Sequence, residues 1–168
     1  MALGPDGKVQ ILFVCTGNLC RSPMAAALLK RKLDPAFRRR VRIVSAGTHA
    51  LEGLPATLQA KAAAQNFDVD LSYHSSQPIT PWLIGHSDLI LAMEPEHVEI
   101  ITLVDPTAEP RTFLMKEFGL ADQPAGSAEV IQDPISGDES VYMQVYRELD
   151  EEIDRILPSV AKVIESAE

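Results

Sequence analysis

The sequence predicts an α/β domain built on a parallel sheet with helices on both faces, and three observations predict it. Short, near-continuous apolar runs recur along the chain, as strands buried on both faces require. Segments with helical patterning separate them, an alternation that builds right-handed parallel crossovers. The 168 residues, 46% of them apolar and only 5% aromatic, suit one domain (residues 1–168) around an aliphatic core. No repeat, low-complexity tract or linker divides it.

The first strand is "VQILFV", residues 9–14. It feeds a turn, "CTGNLCRS", and then the helical pattern "SPMAAALLKRKL", with Ser22 as expected N-cap and Pro23 as first helical residue. The basic stretch "RKLDPAFRRRVR" reads as a solvated loop, and "VRIVSA", residues 41–46, as the second strand. "TLQAKAAAQNF" is rich in helix formers. Trp82 reads as a packing residue. "DLILAM", residues 88–93, is the third strand, "PEHVEIITLV" a short periodic helix and "RTFLM", residues 111–115, the weakest strand. Between residues 106 and 138 Pro and Gly accumulate in a long loop, where function often resides. The final helical pattern, residues 140–168, sets Val141, Val145, Leu149, Ile153, Ile156 and Leu157 on one face. Its acidic run "ELDEEID" reads as the solvated face, and Pro158 should kink the helix or bound it.

Charge and cysteine usage exclude several classes. A net charge of -9 argues against a nucleic-acid partner, which needs clustered Lys and Arg, and against anionic membrane surfaces. No apolar run reaches the length of a membrane span, so no membrane insertion is expected. The N-terminal "MALGPDGKVQ" lacks a signal-peptide layout. Both cysteines, Cys15 and Cys20, sit in one motif rather than spread along the chain as a stapling framework would be. The expectation is a cytoplasmic protein that, if it binds phosphate, does so with local devices.

Those devices lie in "FVCTGNLCRSP". The first strand-to-helix turn of an open parallel sheet lies at the carboxyl edge, where ligands bind. Gly17 permits a tight path there. A loop entering a helix aims several N–H groups into one concavity, which suits an anion, and Arg21 adds a planar fork for two phosphate oxygens. Helix N-termini and cations lower a thiol's pKa, so Cys15 reads as a thiolate able to attack phosphorus within that cradle. The Ser22 hydroxyl can donate to the thiolate as it leaves. The leaving oxygen needs a proton, and Asp133 in "IQDPISGD" is a candidate donor, with a plain Asp-Pro turn as the competing reading.

Together "CTGNLCRSPMA", "SAGTHA", "DLILAMEPEH" and the downstream "DP", in that order, resemble the low-molecular-weight protein tyrosine phosphatases over nearly the whole chain. The resemblance implies a four-stranded sheet in flavodoxin-like order and chemistry without metal or cofactor. By position it implies Cys15 as nucleophile, Arg21 as phosphate clamp and Asp133 as general acid. It implies Thr16, Gly17, Asn18, Leu19, Cys20 and Ser22 as the substrate-binding loop, and Asn18, Ser22, Ser45 and His74 as the network that holds it. A phosphorylated protein is then the substrate and a tyrosine kinase a partner. The chain departs from the family at the cleft walls. Ile135 and Ser136 follow Asp-Pro where aromatics are usual, and His49 and Leu51 are the candidates for the second wall. Two other readings compete. A phosphoarginine phosphatase of the same superfamily carries a small Thr where this chain has the bulky, apolar Leu19. An arsenate reductase with this fold needs cysteines well downstream, and none follows Cys20.

Overall fold

A computed structural model of the chain describes residues 4, 6–121 and 130–167. In chain order the elements are β1 (Val9–Cys15), α1 (Arg21–Lys32), α2 (Pro35–Arg38), β2 (Val41–Gly47), α3 (Leu58–Gln65), α4 (Pro81–Gly85), β3 (Leu89–Ala92), α5 (Pro95–Val104), a 3-10 turn (Pro106–Arg111), β4 (Thr112–Leu114) and α6 (Glu139–Glu165). The four strands are parallel in the order β2-β1-β3-β4, so the expected flavodoxin-like sheet is present.

All seven residues of β1 are buried, which accounts for its near-continuous apolar run. Ile11 and Phe13 join Met24, Leu28 and Leu29 of α1 and Tyr146, Leu149 and Ile153 of α6 in one core. Leu12 and Val14 join Leu83 and Ile84 of α4, Ile90 of β3 and Ile101 of α5 in the other. The chain leaves β1 for β2 on one side and later returns to β3 on the other. The carboxyl end of β1 is therefore the topological switch point, where an open sheet forms its ligand crevice. Cys15, paired with Gly47, ends the strand there.

Several local expectations are corrected. Helix α1 starts at Arg21 with Cys20 as N-cap and no side-chain cap, because the Ser22 hydroxyl is engaged inside the loop. The basic stretch is not a simple loop: Asp34 caps the short α2 by accepting from the Ala36 N–H. Trp82 is 55% exposed and stacks on His86 with ring centres 4.3 Å apart, outside the core. Helix α6 runs through Pro158 without a boundary. Its buried face is Tyr142, Val145, Tyr146, Leu149, Ile153, Ile156, Val160 and Ile164, while Val141 and Leu157 are only half-buried. The acidic run on α6 is paired rather than merely solvated. Asp150 and Asp154 both reach Lys32 of α1, at 2.7 and 2.8 Å, and Glu148 pairs with Lys116.

The region between residues 106 and 138 begins with the 3-10 turn and β4, and its residues 122–129 lie outside the described residues, as do residues 1–3. Among the described residues no helix is long and apolar enough to cross a membrane.

Candidate active site

The loop after β1 is held in place from behind. Asn18 adopts a left-handed conformation with φ 57°, so the special backbone position is Asn18 rather than Gly17. The steric demand falls on Gly47, where a Cβ would lie 2.4 Å from the Thr16 carbonyl oxygen and 2.9 Å from the Asn18 nitrogen. Only a glycine lets the end of β2 pass this close to the loop. The Cys15 and Thr16 carbonyls accept from the Thr48 and His49 N–H groups, both at 2.9 Å, tying the loop to the chain beyond β2.

Asn18 ties the loop to the segments behind it with every polar group of its side chain. Its Nδ2 donates to Ser22 Oγ at 2.8 Å and to Ser45 Oγ at 2.9 Å, and its Oδ1 accepts from the Gln77 N–H at 3.0 Å. Its carbonyl accepts from His74 Nε2 at 2.6 Å. A carbonyl accepts only, so the His74 proton sits on Nε2, and burial holds the ring's pKa below its usual value. The four residues expected in this network, Asn18, Ser22, Ser45 and His74, are thus brought together. Because Asn18 donates to Ser22 Oγ, the serine's own hydrogen is free for Cys15 Sγ, 2.9 Å away, rather than for the more distant Ala46 carbonyl at 3.4 Å. The Asn18 N–H also points at Cys15 Sγ, at 3.3 Å.

Arg21 is buried at the start of α1, and its anchoring decides which of its hydrogens remain available. Both Nη1 hydrogens are used, one on Glu94 Oε1 at 2.7 Å and one on the Ile131 carbonyl at 2.8 Å. Nη2 lies 3.4 Å from Thr16 Oγ1 and 3.4 Å from Asp133 Oδ2. The Nε and Nη2 edge is the side left for a two-pronged contact with an anion. Ile131 also donates its N–H to the Met93 carbonyl at 3.1 Å, so the segment carrying Asp133 is pinned to Arg21 and to the end of β3. Asp133 does form an Asx turn, its Oδ1 accepting the Ile135 N–H at 3.1 Å, while Oδ2 faces Arg21. The turn reading and the approach to the clamp hold together.

The narrow cleft at this point is lined by Cys15, Gly17, Leu19, Cys20, Arg21, Asp133 and Ile135. His49 and Leu51 are not among its lining residues. His49 is exposed with Nδ1 3.0 Å from Thr48 Oγ1, and Leu51 is 71% exposed. Ile135, at 52% exposure, forms the outer wall. Cys20 lies under the loop with Sγ 3.4 Å from the Tyr142 hydroxyl, and burial pushes its thiol pKa up. A roomier hollow, about 590 Å3, lies at the amino end of the strands around Asp88, Arg111 and Phe113, where no nucleophilic cysteine lies. Chemistry rather than size therefore locates the site. Among the described residues no group of three or more His, Cys, Asp and Glu could hold a metal ion.

Sequence reasoning missed Glu94 and His97 as parts of this site. His97 is fully buried on α5, accepts the Glu94 N–H on Nδ1 at 3.1 Å and lies 2.8 Å from Thr16 Oγ1 through Nε2. The signal available was "EPEH" directly after β3, at the same sheet edge and beside β1.

Comparison with known proteins agrees with this geometry. Residues 10–166 match the family model described as low molecular weight phosphotyrosine protein phosphatase. A protein-arginine-phosphatase of Geobacillus stearothermophilus is 39% identical over 88% of this chain and 93% of its own. The low molecular weight protein-tyrosine-phosphatase Etp of Escherichia coli (strain K12) is 39% identical over 64% of this chain and 70% of its own. The solved YwlE arginine phosphatase from Geobacillus stearothermophilus superposes with a TM-score of 0.80 at 36% identity, over 92% of this chain and 94% of that one. Wzb of Vibrio vulnificus, in complex with benzylphosphonate, gives 0.77 at 32%, over 91% and 99%. With a match of that length and relatives of two specificities at equal identity, the chain belongs to the low molecular weight protein tyrosine phosphatase family, phosphatases that use a cysteine nucleophile.

Proposed function

We propose that the chain dephosphorylates phosphotyrosine in proteins through a phospho-cysteine at Cys15. The observation that carries this is the convergence of Cys15, Arg21 and Asp133 on one narrow cleft, with Ser22 and Asn18 donors at the sulfur. In the first step the Cys15 thiolate attacks phosphorus and the S–P bond forms. The bond to the tyrosine oxygen breaks, and the Asp133 carboxyl protonates the departing oxygen. The Nε and Nη2 edge of Arg21 holds two phosphoryl oxygens as charge develops. In the second step water attacks the phosphoryl group while Asp133 takes its proton. The S–P bond breaks, inorganic phosphate forms, and the sulfur leaves as a thiolate stabilised by the Ser22 hydroxyl and the Asn18 N–H. A mutant YwlE arginine phosphatase with a phosphorylated active site serine supports covalent transfer in a relative.

Asp133→Asn should slow hydrolysis strongly for esters of poor leaving groups, by roughly 10^2-fold or more, and much less for good ones that need no proton. Steady-state rates across a series of aryl phosphates test this. Equal losses at both ends of the series would remove Asp133 as the donor.

The aryl preference is supported by the walls. Leu19 and Ile135 are apolar and line the cleft, so on these two walls a phosphoguanidinium finds no acceptor, and Asp133 is the carboxylate its N–H groups would meet. A second reading, phosphoarginine, is favoured by protein-arginine-phosphatases of Geobacillus stearothermophilus and Bacillus subtilis (strain 168), which align over 88% and 92% of this chain. Comparing kcat/KM for phosphotyrosine, phosphoarginine and phosphoserine substrates decides between them, and we expect phosphotyrosine to lead with a high KM. Ile135→Tyr should lower that KM roughly two- to tenfold by restoring a stacking face. Leu19→Thr should move activity toward phosphoarginine. A wild-type preference for phosphoarginine would overturn the aryl assignment and leave the catalytic centre intact.

A further inference from the structure

The contacts of Thr16 define a donor that the mechanism above has not used. Thr16 Oγ1 is approached by two groups, His97 Nε2 at 2.8 Å and Arg21 Nη2 at 3.4 Å. The tautomer of His97 follows from its other nitrogen. The Glu94 backbone N–H, 3.1 Å away, can only donate, so Nδ1 carries the lone pair and the neutral ring carries its hydrogen on Nε2. Nε2 therefore donates to Thr16 Oγ1. Arg21 Nη2 has no acceptor capacity and also donates. The threonine oxygen thus receives two hydrogen bonds, and its own hydrogen must point at neither. Thr16 is only half-buried, next to Cys15, and Arg21 Nη2 also faces Asp133 Oδ2 at 3.4 Å. Arg21 and Asp133 line the cleft, and Nη2 lies 3.4 Å from Thr16 Oγ1 as well as from Asp133, so the hydroxyl sits beside the guanidinium nitrogen that would hold a phosphoryl oxygen.

We propose that the Thr16 hydroxyl is a further donor to the phosphoryl group and that His97 is the positioning residue that fixes its direction. This rests on the reading of the cleft as a phosphate cradle. The ring can act this way because it stays neutral. Burial, and then the Arg21 cation, pull His97 down to about 4, while Glu94 and Asp133 push the other way and His49 adds a little to the lowering. Glu94 ties the two halves together. Its side chain holds Arg21 Nη1 and its backbone N–H holds His97 Nδ1, so one residue sets both the clamp and the histidine that orients the threonine.

A double-mutant cycle tests the proposal. Thr16→Val removes the hydroxyl and keeps the shape. His97→Asn keeps an acceptor near the Glu94 N–H and loses the donor to Thr16. Each should lower kcat/KM for an aryl phosphate by about tenfold, as for loss of one hydrogen bond to a charged group, and the double variant should lose no more than either alone. Thr16→Ser, and His97→Gln with its longer amide, should recover most of the loss. The inhibition constant of inorganic phosphate should rise in parallel with the loss for Thr16→Val. A double variant about 100-fold down, the product of two independent tenfold losses, would overturn the coupling. A Thr16→Val enzyme within about twofold of wild type would overturn the donor role, whatever His97→Asn does to folding. If wild-type protein does not bind inorganic phosphate, the cradle reading itself fails; if it binds phosphate equally with and without the Thr16 hydroxyl, only this inference fails.

Discussion

Cys15→Ser is expected to lower turnover of aryl phosphates by roughly 10^4-fold or more while leaving phosphate binding in place. The two effects separate because different atoms supply them. Binding comes from Arg21, whose Nη1 is anchored by Glu94 and Ile131 whether or not residue 15 carries sulfur. The loop shape comes from Asn18 and its contacts with Ser22, Ser45, Gln77 and His74. Only the nucleophile is lost, since a serine hydroxyl is not ionised at neutral pH as a thiol can be. Ser22 Oγ, 2.9 Å from the sulfur, would hydrogen-bond the new hydroxyl and hold the position. Steady-state kinetics and equilibrium titration with inorganic phosphate measure the two parts. Activity within about tenfold of wild type would remove Cys15 from the nucleophile's role.

Arg21→Lys carries the second large effect. The guanidinium spans Glu94, the Ile131 carbonyl, Thr16 and Asp133 at once, and leaves an edge for the anion. An ammonium is a point charge with three donors and cannot replace a planar fork. If the lysine reaches Glu94 it abandons the cleft; if it stays in the cleft it leaves the buried Ile131 carbonyl unpaired. We expect kcat/KM to fall roughly 10^2- to 10^4-fold. An unsatisfied buried acceptor should also cost about 1–3 kcal/mol of stability. Phosphatase assays and denaturant unfolding check the two consequences, and a loss in kcat/KM below about fivefold would show that charge alone suffices.

Much of the frame was legible because the two central strands, β1 and β3, are fully buried. Strands β1 and β3 announce themselves as apolar runs, and the switch point after β1 follows from the alternation of strands with helices. The loop's chemistry was legible from Cys15, Arg21 and the Ser-Pro that opens α1. Its support was not, because support depends on which side chains the fold brings behind the loop. His74 and Ser45 have no local pattern that marks them, and only the family resemblance pointed there. Gly47 matters through a close approach of two distant segments, and no local spacing records that. Ser22 was misread as a helix cap because a cap and a thiolate donor need the same small hydroxyl at the same place, and the tertiary contacts with Cys15 and Asn18 decide between them. Trp82 was misread for the opposite reason. A large ring is core by composition, yet α4 turns it outward onto His86. The walls were legible in part: Leu19 and Ile135, both expected there, line the cleft, while His49 and Leu51, assigned by position in the loop after β2, are not among its lining residues.

The covalent intermediate is the centre of this account, and it can be observed directly. Wild-type protein mixed with an aryl phosphate and quenched during turnover should carry one phosphoryl group, and mass spectrometry of its peptides should place that group on Cys15 and not on Cys20. The released phenol should appear in a burst of about one equivalent if hydrolysis of the phospho-cysteine is the slower step. Phosphate found on another residue, or continued turnover with Cys15 alkylated, would contradict the mechanism.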